Sequence, residues 1–231
     1  MKLKWIESEH NKYKNKSVWI VGSGHEIDTF PDNFIDNKIA ISLHTAWLKW
    51  TTKFTYACIS EVDRLEWFKV YRPDFFKTQG IYNNPFYLNV NSEWALPEEE
   101  LKYGKHLFIS YKAGIMTPNL MPEYITMALN GEHGPYMNAY TVSHTAILAA
   151  MILGFKKINL IGCNHSAPKN PQDFYYNKGQ LQHMRLHNPK FNTWAAKTAG
   201  EFTTKFIDIV NDYNIKINRY LDYKDYKRRI I

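Results

Sequence analysis

Two glycine-led turns hold many of the residues in this chain that could do chemistry. The first, Gly22-Ser23-Gly24, ends the apolar run Val18-Trp19-Ile20-Val21. The second, Gly162-Cys163-Asn164-His165-Ser166, ends Ile158-Asn159-Leu160-Ile161. Glycine lets backbone amides approach a phosphate or a ribose closely. Open α/β sheets bind ligands outside the carboxyl ends of such strands. The first turn is not a full G-x-G-x-x-G, because Ile27 takes the last position, and it is not a P-loop, because no Gly-Lys-Ser/Thr follows. The competing reading is a plain tight turn.

Ser42-Leu43-His44-Thr45 closes another apolar run. The hydroxyl of Ser42 and the imidazole of His44 suit a base or a sugar, whereas Ser42 or Thr45 could equally cap a helix. Val142-Ser143-His144-Thr145 opens an apolar stretch of helical composition. Ser143, His144 and Thr145 would stand where free amides and the positive end of a helix dipole attract an anion, unless they only cap it. Cys163 directly follows a buried strand and is expected to point inward, a poor position for a nucleophile. No second Cys has zinc-ligand spacing to the 163–166 segment. His183 and His187 lie four apart and would share one helix face. No Glu stands in an HExxH position, so a general base is a better reading than a zincin. Tyr175, Tyr176 and Arg185 lie nearby in sequence and could steady a departing phosphate.

These residues need a frame that brings them together. Val18–Val21, Ile39–Ser42, Phe54–Ile59, His106–Ser110, Ile158–Gly162 and Ile215–Asn218 read as short buried strands. Thr141–Leu153, with Gly154 beyond it, reads as a helix that is apolar all round and hence buried on the sheet. Helical spacing also marks residues 61–70 and about 193–211, with a helical turn at 45–49. The alternation predicts an α/β protein: a Rossmann-like, doubly wound, mostly parallel sheet with helices on both faces and a small insertion or lid. A single domain over 1–231 is expected, with an insertion at 71–100 and a lid segment at 167–192.

Hydrophobic residues make up 45% of the 231, enough for a sizeable core, and aromatics reach 16%, so some should line a site or an interface. The net charge of +7 suits an anionic ligand. Part of the excess sits in two ends, 1–16 and 223–229, which could touch DNA or an anionic surface. The two cysteines, Cys58 and Cys163, read as buried free thiols. No apolar leader is visible. The chain reads as cytoplasmic, or peripheral to the inner membrane surface through its basic ends. The aromatics of 71–94 point to a lid or a homo-oligomer contact.

The block from Thr141 to Asn164, together with Val21-Gly22-Ser23-Gly24, resembles two related groups. One is the Campylobacter-type bacterial sialyltransferases. The other is the MptE-like proteins, which include archaeal 6-hydroxymethylpterin diphosphokinases. The likeness follows the chain in order but is specific over about 35 residues. Asn164 stands where the families carry Asp, and Ser42–His44 replaces their usual Asn after the second strand. The sialyltransferase resemblance implies a metal-independent transfer from a nucleotide-sugar donor to a hydroxyl acceptor. It makes His187 the base, with His183 and His165 behind it, and Tyr175 and Tyr176 the phosphate partners. Gly22–Gly24, Ser42, His44, Ser143–Thr145, Gly162–Asn164 and Ser166 would hold the nucleotide. No cofactor is then required. The diphosphokinase resemblance implies Mg²⁺, with Glu61 and Asp63 as ligands. A third reading is a nucleotide- or nucleic-acid-binding module without catalysis.

Overall fold

The computed structural model describes residues 4–51, 53–59, 68, 70–84, 107–115, 117–134, 136–138, 141–164 and 189–230. Eight strands are described: β1 (Ser17–Val21), β2 (Ala40–Leu43), β3 (Tyr56–Ile59), β4 (Gln79–Asn84), β5 (Leu107–Ile115), β6 (Tyr136–Asn138), β7 (Lys157–Ile161) and β8 (Lys216–Arg219). They form one sheet in the order β6-β5-β4-β3-β2-β1-β7-β8, and every neighbouring pair is parallel. The winding runs outward from β1 to β6, then returns to the other side of β1 for β7 and β8. The order therefore reverses between β1 and β7, and this is the topological switch point of a doubly wound sheet.

The helices follow from where the strands bury their side chains. Val18, Ile20, Ile41, Cys58, Ile158 and Leu160 face one layer, built from α1 (Met121–Asn130), α2 (Val142–Ile152) and α3 (Pro189–Asn211). Trp19, Val21, Ala40, Ala57, Ile59 and Ile161 alternate to the opposite face. There the cover is short 3₁₀ helices at His25–Thr29, His44–Leu48 and Pro73–Lys77, together with α4 (Tyr223–Ile230). In mid-sheet the buried Asn159 donates to Val18 O at 3.3 Å and accepts from Asn218 Nδ2 at 3.0 Å. This chain of amides ties β1, β7 and β8 across the switch point.

Helix α2 is buried from Ser143 to Ile152, as its all-round apolar composition predicts. Its far end is closed by the amino-terminal segment. The N–H groups of Asn11, Tyr13 and Asn15 donate to Ile152, Leu153 and Gly154 carbonyls at 3.0, 2.8 and 3.2 Å. Those carbonyls would otherwise lack partners. The basic stretch up to Lys16 is thus folded onto the body over its described part.

The carboxyl-terminal basic run is helix α4, docked through Tyr223 and Tyr226 against Phe30, Phe34 and Trp19. Asp225 anchors it. The Leu221 N–H donates to the carboxylate at 3.0 Å, and Arg228 and Arg229 pair with it at 3.4 and 3.0 Å. The Leu221 amide, aided by the two guanidinium groups, holds this carboxyl below the 3.8 of an ordinary aspartate, against the effect of burial. A lowered folded value makes the contribution complete above the ordinary range and removes it as pH falls through the lowered value. Acid titration of tryptophan fluorescence, to which Trp19 against Tyr226 contributes, is therefore expected to show α4 releasing below about pH 4. In Asp225→Asn the helix should be loosened already at neutral pH. Identical titrations for the two proteins would refute the anchor.

Strands β4 and β6 and helices α1 and α4 have no counterpart in the sequence reading. Gln79–Asn84 is rich in amides and lacks alternation, yet it pairs on both sides, with β3 and β5. Half of the stretch read as an insertion, residues 71–84, therefore includes a central strand. Residues 85–100, and 167–188 of the predicted lid, lie outside the described residues.

Candidate functional site

The two glycine turns meet at the switch point. Strand β1 runs beside β7 with Val21 opposite Ile161, so Gly22 and Gly162 leave the sheet side by side. The Gly22 N–H donates to Ile161 O at 2.8 Å, and the Gly24 N–H donates to Gly162 O at 3.0 Å. A Cβ on Gly22 would sit 2.2 Å from the Gly162 carbonyl oxygen, and one on Gly162 would sit 2.3 Å from that of Gly22. Gly162 also has φ +64°, in the left-handed region. These glycines are required first by each other. Two amides of the first turn are committed internally. The chain then enters a five-residue 3₁₀ helix, His25–Thr29, rather than an α-helix that could offer its dipole.

Polar groups without partners among the described residues stand at or just beyond the carboxyl ends of β2 and β7. Ser42, in register with Val21, is fully buried, and among the described residues its hydroxyl has no hydrogen-bond partner. The same holds for the Thr45 hydroxyl. Neither residue caps the 3₁₀ helix His44–Leu48, whose N-cap is Leu43 with no side-chain bond, so capping does not explain them. Between them His44 adopts φ +46°, a conformation that costs a non-glycine residue energy and clusters at functional sites. On the β7 side, Asn164 Nδ2 donates to Glu26 Oε1 at 3.1 Å and to Leu221 O at 3.2 Å. Its Oδ1 is buried and without a partner among the described residues. Native interiors leave few such groups unsatisfied, and each needs an explanation.

Ser143, His144 and Thr145 are all buried at the start of α2. Thr141 is the N-cap, and its hydroxyl shares a hydrogen bond with that of Ser143. His144 takes the place usually held by Glu or Gln in a capping box: its Nδ1 accepts from the Thr141 N–H at 3.3 Å. That leaves the proton on Nε2, which donates to Thr203 Oγ1 of α3 at 2.8 Å. The ring also packs against Phe202 and Phe206. Both nitrogens of His144 are thus engaged in joining α2 to α3.

Cys163 is buried, and its thiol donates to Ile161 O at 3.4 Å. Burial pushes the thiol up to about 12, and the nearby Glu26 carboxylate adds to this against the Gly22 N–H and Arg219. At neutral pH the thiol therefore stays protonated. Cys58 on β3 is likewise free and buried, and burial raises its thiol. Neither cysteine is placed to act as a nucleophile.

His165, Ser166, Tyr175, Tyr176, His183, Arg185 and His187 lie outside the described residues, as do Glu61 and Asp63. Among the described residues no three His, Cys, Asp or Glu side chains come together as a metal cluster. No helix among them is long and apolar enough to cross a membrane. Sequence reasoning did not find Glu26 or Arg219, whose charges act on the Cys163 thiol. Neither carries a motif, and only the pairing of β1 with β7 and of β7 with β8 brings them to one corner. Comparison with protein-family models, curated proteins and solved structures finds no match. What the chain shows by its own geometry is a Rossmann-like, doubly wound α/β fold with a polar corner at its switch point.

Proposed function

We propose that the chain binds a nucleotide-activated sugar at the β1/β7 switch point and transfers the sugar to a hydroxyl acceptor. The observation that carries the binding step is the set of buried, unpartnered Ser42 Oγ, Thr45 Oγ1 and Asn164 Oδ1 at the carboxyl edge of the sheet. The two hydroxyls can each donate and accept, and the amide oxygen accepts from a sugar hydroxyl, which is the pattern a ribose and base require. Leaving such groups unmade is costly, so a polar ligand there gains what the empty site lacks. The resemblance of Thr141–Asn164 to sialyltransferases supports transfer as the reaction. In that chemistry the acceptor oxygen forms a bond to the anomeric carbon while the bond to the nucleotide phosphate breaks. His187 would take the acceptor proton, with His183 and His165 as the other candidates. Tyr175, Tyr176 and Arg185 would stabilise the charge on the departing phosphate.

A thermal-shift screen of CMP, UDP, GDP and ATP compounds, with and without Mg²⁺, tests this. A ligand at 100 times its Kd should stabilise the protein by about 2.7 kcal/mol. Ser42→Ala and Thr45→Val should each weaken its binding roughly 2- to 13-fold, the value of one hydrogen bond of about 0.5–1.5 kcal/mol. No shift with any of these compounds would reject the reading. Strict Mg²⁺ dependence lost in Glu61→Ala would point to diphosphate transfer instead.

A further inference from the structure

Arg219 is the last residue of β8 and stands in register with Leu160 of β7. Two residues earlier, Ile217 faces the core beneath the α1–α3 layer, so Arg219 points to the same side, at the carboxyl edge. Its Nη1 is buried and has no hydrogen-bond partner among the described residues. The residue as a whole is half-buried. A guanidinium cannot lose its charge at any ordinary pH, so it cannot shed the cost of a buried edge as a lysine can.

Among the described ion pairs none involves Arg219. Glu26 accepts from Asn164, and no described ion pair joins it to Arg219. Asp225 is held by Arg228 and Arg229, and Asp222 accepts from the Asp225 N–H at 2.7 Å. The position is tied to the switch point, because Asn164 Nδ2 bonds to Leu221 O, two residues beyond Arg219. The influence of Arg219 on the Cys163 thiol agrees with this placement.

We propose that Arg219 is the phosphate-binding residue of the site, taking a phosphate or diphosphate group of the nucleotide on its unpartnered Nη1 edge. This rests on the nucleotide reading for the identity of the ligand, but not for the anion chemistry. Planar guanidinium forks match phosphate oxygens in a way that an ammonium does not. The Gly22–Gly24 turn, with two amides committed, leaves that task to a side chain.

Calorimetric titrations of wild type, Arg219→Met and Arg219→Lys with pyrophosphate, CMP and cytidine would test the assignment. Arg219→Met should weaken pyrophosphate and CMP binding at least tenfold and leave cytidine unchanged, with Arg219→Lys intermediate. Equal loss for cytidine and CMP, or no loss for pyrophosphate, would overturn it. Wild type that binds pyrophosphate through Arg219 but no nucleotide would reject the nucleotide reading and keep this one. Nucleotide binding unaffected by Arg219→Met would do the reverse. If neither variant folds, arginine modification of wild type by phenylglyoxal, mapped by mass spectrometry, decides the matter. Pyrophosphate should protect Arg219 several-fold and leave Arg228 and Arg229 unprotected; absence of protection at Arg219 refutes the proposal.

Discussion

Gly162→Ala is expected to destabilise the protein by about 2–5 kcal/mol, a large effect for one methyl group. Two costs add. Gly162 holds φ +64°, where an L-residue loses roughly 1–2 kcal/mol. The new Cβ would also sit 2.3 Å from the Gly22 carbonyl oxygen and 2.5 Å from the Ile27 side chain. The backbone oxygen cannot swing aside, because β1 is paired on both edges, with β2 and β7. Forcing extra volume into such packing costs about 1–3 kcal/mol more. Urea unfolding is the measurement, with the midpoint shifting and the slope unchanged. A loss below about 1 kcal/mol would mean that the two turns are not locked together as described. Gly22→Ala meets the Gly162 carbonyl at 2.2 Å and should be destabilising too, through the contact alone.

His144→Ala should cost about 3–5 kcal/mol. The ring is fully buried between Phe202 and Phe206, and truncation leaves a cavity of aromatic size. It also removes the acceptor for the Thr141 N–H and the donor to Thr203. His144→Gln separates these parts. Glutamine is a usual partner in a capping box and should recover the helix cap, worth about 1 kcal/mol, without restoring the aromatic packing. Denaturant unfolding of the three proteins gives the ranking wild type, Gln, Ala. The opposite pattern, full stability with lost nucleotide binding in His144→Ala, would return His144 to the ligand site proposed from sequence. The sequence offered both roles, a cap and an anion contact, and the tertiary partner Thr203 lies 59 positions away.

Sequence alone determined the elements whose signals are local. Helix α2 was legible because the apolar run Ala146–Leu153, between a Thr/Ser start and Gly154, has only one way to be buried. Strands β1, β2, β3 and β7 were legible because short apolar runs bounded by glycine or polar residues fit a sheet covered on both faces. Those strands and their polar ends also sufficed to predict the doubly wound class. Strand β4 was not legible, because its residues are held by backbone bonds to both neighbours rather than by a pattern of their own. Helix α4 reads as a basic tail until Asp225 and the aromatic contacts of Tyr223 and Tyr226 are seen to dock it.

The candidate site divides in the same way. Sequence placed Gly22–Gly24 and Gly162–Asn164 at strand ends, but it could not say that β7 pairs with β1 across 140 positions of chain. Only that pairing makes the glycines answer to each other. Only the burial of Ser42 Oγ, Thr45 Oγ1, Asn164 Oδ1 and Arg219 Nη1 distinguishes polar groups that need a partner from those that face water. Whether a side chain is satisfied depends on every atom around it, and most of those atoms come from distant parts of the chain.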